Sequence, residues 1–162
     1  MSYPNQFPPL SKEELETFLT DTGSATLCTH NKDGSIHAAP VGYFYSPGKI
    51  EIISHTSTRK NRNIKRNNQV TLLIETKKPF RGALIYGEAS ISRDNVLPMI
   101  MKMFEQMRTP AEKVEAVSNE YLSVVDCVII SVVPKRIVSF DSEKYDVFKK
   151  IAEKYDLKWD WF

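Results

Sequence analysis

The sequence is short of the features that mark specialised protein classes. It has two cysteines, Cys28 and Cys127, each inside an apolar run ("ATLCTH" and "VVDCVII"). That excludes a disulfide scaffold and reads as two buried thiols. Its three histidines, His30, His37 and His55, have no paired spacing, so no metal site is expected. No apolar run reaches the length of a bilayer span, and "MSYPNQFPPL" has neither a basic n-region nor an apolar h-region. The expectation is a cytoplasmic protein without a membrane partner. The net charge is only +2, which does not supply the broad basic surface of a nucleic-acid binder. Internal repeats and low-complexity segments are also missing.

What is present is an ordinary globular composition. With 41% hydrophobic and 26% charged residues over 162 positions, the chain has enough apolar material for one packed domain spanning 1–162. Residues 1–10, with three prolines, read as an extended arm. Ser11 opens a helix through the capping box "SKEE", with Leu15, Phe18 and Leu19 as its apolar stripe. From Ser24 the period changes to two. "SATLCTH" and "SIHAAPVGYFY" flank the turn "NKDG", and "SPG" precedes "KIEIISH". "QVTLLIE" and "RGALIYGEASIS" add two strands. Residues 93–120 read as a helical insertion broken at Thr109-Pro110, in which Met99, Ile100, Met103, Phe104 and Met107 are core positions. "VVDCVIISVVP" and "RIVSF" supply a sixth strand and a seventh, and 142–157 a final amphipathic helix. The strands follow one another too closely for βαβ crossovers. The fold expected is therefore mainly β, a six- to seven-stranded antiparallel split β-barrel with flanking helices.

One segment stands out chemically. In "SHTSTRKNRNIKRNNQ" the residues Arg59, Lys60, Arg62, Lys65 and Arg66 fall within eight positions, with no acid between Glu51 and Glu75. Between two strands this reads as one short helix capped by Thr56, Ser57 or Thr58, anchored by Ile64 and ended at Asn67-Asn68. Arg59 and Lys60 would then sit in the first turn, where the helix dipole disfavours cations. An anion bound there removes the conflict: backbone N–H groups, hydroxyls and two cations converge on one phosphate. Arg62, Lys65 and Arg66 read as a solvated outer face. No aromatic residue lies between Tyr45 and Phe80, so the segment lacks the stacking platforms of a single-strand binder, and no nucleic-acid partner is expected.

The succession "ATLCTHNKDGSIHAAPVGYFY", "KIEIISHTSTRKNRNIKRNNQVTLLIE" and "ALIYGEASI" resembles the pyridoxamine 5'-phosphate oxidase-like, FMN-binding split-barrel flavoproteins, over about residues 20–92. "VVPKRIVSFD" is similar to the closing strand of that family. The resemblance implies FMN as cofactor, with its ring at the interface of a homodimer along the second strand. It implies ring contacts at His37, Ala38, Ala39, Pro40 and Val41. Further contacts fall at Ser54, His55, Thr56 and Ser57, a phosphate clamp at Thr58, Arg59 and Lys60, and Asn63 beside it. The same pattern resembles split-barrel enzymes that use the deazaflavin F420, the alternative cofactor. Authentic pyridoxamine phosphate oxidases end in an arginine-rich tail and carry Arg and Lys in the second strand. This chain has "EKYDLKWDWF" and "HAAPVGYFY" there, so that oxidase activity itself is not expected.

The implied function is an oxidoreductase that passes hydride or electrons between FMN and a small-molecule substrate. The alternatives are an F420-dependent reductase and a non-catalytic flavin-binding module. No side chain identifies itself as a catalytic acid or base, which suits a protein whose cofactor carries the redox chemistry. Tyr43, Tyr45 and Tyr86 read as packing or subunit contacts more readily than as a substrate lining. The aromatic end, Trp159, Trp161 and Phe162, is expected to dock on a partner subunit or over the pocket.

Overall fold

The structure is a computed structural model that describes residues 7–159. Helix α1 (Lys12–Thr22) begins at the expected capping box. The Ser11 hydroxyl accepts from the Glu14 amide at 3.2 Å, and the Ser11 amide donates to the Glu14 carboxylate at 2.6 Å. It ends at Gly23, whose φ of 68° suits a residue without Cβ. Strands β1 (Ser24–His30) and β2 (Ile36–Gly42) form the first hairpin. Its turn is closed by the Asn31 amide on the Ser35 carbonyl and by Asp33 accepting from Ser35. The short β3 (Phe44–Ser46) and β4 (Lys49–His55) form the second, around Pro47-Gly48. Then come α2 (Arg59–Arg66), β5 (Gln69–Lys77), β6 (Phe80–Ser92), α3 (Val96–Gln106), α4 (Ala111–Val124) and β7 (Cys127–Asp141). A 3-10 turn (Ser142–Lys144) and α5 (Val147–Tyr155) follow.

All seven strands belong to one antiparallel sheet in the order β2-β1-β5-β6-β7-β4-β3. Strands β2 and β3 lie at opposite edges, yet only Tyr43 separates them in sequence. One residue cannot cross a flat seven-stranded sheet, because neighbouring strands are about 4.8 Å apart. The sheet must therefore curl until its edges meet, and this is the split barrel expected from the sequence. Tyr43 is the pivot. It is buried, its phenol donates to the Leu19 carbonyl at 2.7 Å, and its amide donates to the Gly23 carbonyl. The concave side holds the core, including Leu27, Ile50, Ile52, Leu72, Ile74, Ile85, Ile130 and Val132.

The strands are divided differently from the sequence reading. The stretch 35–45 breaks at Tyr43 into β2 and β3. The two runs after residue 124 form one strand, β7, which continues through Pro134. Proline is tolerated there because the β6–β7 register shifts between Tyr86 and Gly87, and Gly87 faces Pro134. A Cβ on Gly87 would stand 2.7 Å from the Val133 carbonyl, so the glycine is what lets the strands approach at the bulge. Of the two thiols expected inside, Cys127 is buried while Cys28 is only half-buried. Cys28 is out of phase with the inward Leu27 and Thr29, on the convex face of β1.

Candidate functional site

The end of β4 runs through a turn at Thr56-Ser57 directly into α2, so Ser54, His55, Thr56, Ser57, Thr58, Arg59 and Lys60 form one continuous ledge. Thr58 is the N-cap residue, in extended conformation, and its side chain makes no capping bond. The first turn of α2 contains no acid. Within the helix the first backbone donors have no carbonyl to reach, so Arg59, Lys60 and Asn61 present N–H groups outward. Arg59 is exposed and Lys60 half-buried. Burial pulls the Lys60 ammonium below its ordinary pKa, the signature of a cation held where water solvates it incompletely. Arg59 is near enough to Asp33 to help hold that carboxyl below its usual range, after the Ser35 hydrogen bonds.

Two asparagines keep this ledge in shape, Asn63, expected beside the clamp, and Asn61, which the charge pattern concealed. Asn61 is 1% exposed. Its amide donates to the His55 carbonyl at 2.8 Å and the Thr56 carbonyl at 3.3 Å, and its oxygen accepts from the Ser54 hydroxyl at 3.0 Å. The Ser54 hydroxyl also lies 3.3 Å from that of Thr58. Thr56 is tied from the other side, its amide and hydroxyl both donating to the Asp126 carbonyl. Asn63 is likewise buried. Its amide donates to Thr29 and Asn31, both at 3.0 Å, while its oxygen accepts from Arg66. The Arg66 guanidinium also donates to the His30 carbonyl at 2.6 Å, so it tethers α2 to the first hairpin and is not merely a solvated charge.

The available signal was arithmetic. A helix with one apolar residue, Ile64, cannot cover a core face, so polar neighbours must be buried and satisfied.

The predicted second-strand residues do not share one face. His37, Ala39 and Val41 turn toward the concave side and are half-buried, whereas Ala38 and Pro40 are exposed on the convex side. What the five do share is the backbone of an edge strand, since β2 pairs only with β1. Pro40, which cannot donate to a ladder, is suited to such an edge. The α2 ledge and the start of β2 are brought together through Thr29. That residue pairs with His37 in register and holds Asn63 by its hydroxyl. Val41 lies toward the other end of β2, beside the α1 terminus.

The remaining aromatic candidates separate. Tyr43 is core, and burial pushes its phenol up to about 12. Tyr45 donates to the Glu16 carboxylate at 2.7 Å, and Tyr86 lies exposed under the Arg136 guanidinium at 4.5 Å. Trp159 meets Phe148 edge-on, with centroids 6.0 Å apart, while Trp161 and Phe162 lie outside the described residues. Among the described residues, no three His, Cys, Asp or Glu side chains are grouped to hold a metal ion.

The family model described as pyridoxamine 5'-phosphate oxidase matches residues 11–124. No curated protein matches the chain. Among solved structures, a conserved hypothetical protein of Mycobacterium tuberculosis is similar with a TM-score of 0.73 at 22% identity, covering 89% of this chain and 92% of that one. An F420 reductase is similar with a TM-score of 0.61 at 22% identity, covering 76% and 94%. A FAD-binding protein of Mesorhizobium loti follows with a TM-score of 0.59 at 15% identity, covering 83% and 95%. At these identities the likeness is one of fold.

Proposed function

Because the chain belongs to the pyridoxamine 5'-phosphate oxidase family, we propose that it is an FMN-binding flavoprotein that exchanges hydride or electrons with a small molecule. In this reading it works as a homodimer with the flavin at the subunit interface. Membership alone does not carry an activity, since function resides in the site and not in the fold. The observation that carries the reading is the first turn of α2. Its orphan N–H groups, two cations, an uncapped Thr58 and the lack of any acid make a donor set suited to a phosphate.

In this reading Thr58, Arg59, Lys60 and the α2 amides hold the phosphate, with the Ser57 hydroxyl at its rim. Ser54, His55 and Thr56 form the wall beside it. Asn63 acts from beneath, since its amide atoms are already engaged. The free backbone edge at His37, Ala38, Ala39, Pro40 and Val41 meets the polar rim of the ring, and the small Ala38 and Ala39 side chains permit close approach. FMN, when bound, supplies the redox chemistry, and the protein supplies position and electrostatics.

F420 is the second reading, supported by the likeness to an F420 reductase. The donor set favours FMN, because FMN ends in a phosphate monoester that is a dianion at neutral pH, while the phosphodiester of F420 carries one charge. A flavin-binding module without a substrate of its own would use the same ledge. The test is titration of the full chain with each cofactor, followed by absorbance. FMN should bind more tightly than F420, and Arg59→Ala with Lys60→Ala should weaken FMN by at least tenfold. Unchanged affinity in the double variant sinks the phosphate assignment, and binding of neither cofactor sinks the reading. Oxidation of reduced nicotinamide with an artificial acceptor separates an enzyme from a module.

A further inference from the structure

A second concavity adjoins the α2 ledge without being part of it. It lies between the β2–β3 junction, β4 and the helices α3 and α4, and holds about 240 Å³. Phe44, Ile53 and Met103 give it apolar walls, and His55, Gln106 and Tyr121 bring the polar atoms. No lysine or arginine lines it, the Lys102 ammonium lying on the Phe44 ring at 4.9 Å and not among the lining residues, so a carboxylate or phosphate would lack a partner within the cavity. At ~30 Å³ per water in the liquid, the volume suits about eight non-hydrogen atoms. The occupant is therefore a small, neutral, mostly apolar molecule.

The polar end is more specific. His55 Nε2 and the Tyr121 phenol lie 3.3 Å apart. Phe104 packs edge-on against the Tyr121 ring with centroids 5.8 Å apart, fixing its direction. Burial pushes the Tyr121 phenol above its ordinary pKa, so it stays un-ionised and is a hydrogen-bond donor. With one proton and two lone pairs, the hydroxyl can serve His55 Nε2, the Cys127 thiol, to which it is also hydrogen-bonded, and one oxygen in the cavity.

We propose that this cavity binds a small cyclic or aromatic compound with one neutral oxygen, its ring between Phe44, Ile53 and Met103 and its oxygen hydrogen-bonded to Tyr121. Calling that compound the substrate rests on the flavin reading; its binding does not. His55 belongs to both places, because it ends β4 at the ledge and lines the cavity.

The probes are acetophenone, 1-phenylethanol and ethylbenzene, alike in shape and different at the oxygen. They are titrated into the full chain and followed by calorimetry and by the methionine methyl resonances. Acetophenone, like the alcohol, should bind roughly fivefold more tightly than ethylbenzene, the value of one neutral hydrogen bond. Tyr121→Phe should reduce it to the ethylbenzene level. Met103→Trp should abolish binding of all three, and Met107→Trp, at an exposed position, should leave it intact. No binding of acetophenone at millimolar concentration, undiminished binding in Met103→Trp, or ethylbenzene binding as tightly as acetophenone would each overturn the proposal. FMN titration of the same samples keeps the two readings apart. Acetophenone binding without FMN binding sinks the flavin reading alone, and the converse sinks the cavity alone.

Discussion

At the scale of single residues, the ledge depends on side chains whose polarity is turned inward. Asn61 satisfies two backbone carbonyls and one hydroxyl in a place that water does not reach. Asn61→Ala removes all three bonds; the His55 carbonyl keeps the Thr58 amide and the Ser54 hydroxyl at 3.3 and 3.4 Å, while the Thr56 carbonyl loses its Asn61 donor. Unsatisfied buried groups cost ~1–3 kcal/mol each, so a loss of about 2 kcal/mol in a urea titration is expected, together with weaker cofactor binding. A variant with wild-type stability would show that the turn is held by other means. The cations on the same helix were legible in the sequence, because five bases without an acid is a pattern in one dimension. The asparagine bonds were not, since their partners at Thr29, Asn31, Ser54 and His55 depend on how α2 meets β1 and β4.

Among the elements, the α3–α4 excursion is closed at its neck by one ion pair. Arg93, just before α3, makes two bonds to the Asp126 carboxylate, just after α4, at 2.6 and 3.0 Å. Asp126 also offers its carbonyl to Thr56, so the neck and the ledge are joined. The Arg93 hydrogen bonds, followed by that of Thr56, hold the Asp126 carboxyl down at about 2. A depressed carboxylate stabilises above its ordinary pKa and loses that contribution as pH falls toward the depressed value. Protection of the amides across 96–124, taken relative to the intrinsic exchange rate at each pH, should accordingly fall as pH drops from about 4 toward 2, the ordinary aspartate range downward. Asp126→Asn should show faster exchange there already at neutral pH. Exchange unaffected by the substitution would mean that packing alone closes the neck. The periodicity of both helices was readable in the sequence, but a pair separated by 33 positions was not.

For the whole molecule, the convex side of the sheet is the surface left to explain. Along β6 and β7 it exposes Tyr86, Val133 and Val138, and on β2 it exposes Ile36. Tyr86 and Arg136 face one another in register, as do Leu84 and Val138, so these side chains form one patch across two strands. A convex apolar patch on a curled sheet suits the homodimer of the proposed function. Tyr86→Glu with Val138→Glu should shift the sedimentation of the full chain from dimer to monomer and weaken FMN binding at least tenfold. A double variant that remains dimeric places the interface elsewhere.

Where β6 begins and β7 ends, Phe7, Phe80, Phe140, Tyr145, Phe148 and Trp159 form a chain of ring contacts at 4.9 to 6.3 Å. This gives Trp159 a partner within its own chain.

What the amino-acid order decided by itself is what depends on near neighbours. That includes the capping box at Ser11, the turns at Asp33-Gly34 and Pro47-Gly48, the run of antiparallel strands and the cations at the start of α2. These follow from local sterics, hydrogen bonding and the two periodicities, which act within a few residues. Tertiary structure decided the rest. Curling of the sheet brought β2 and β3 to facing edges with Tyr43 as their joint, and the bulge at Gly87 made one strand of two runs. Alternation sent His37 and Ala38 to opposite faces. The meeting of β4 with α4 set His55 against Tyr121. Each of these turns on which distant surfaces meet, and the free energy that selects them is burial summed over the whole core.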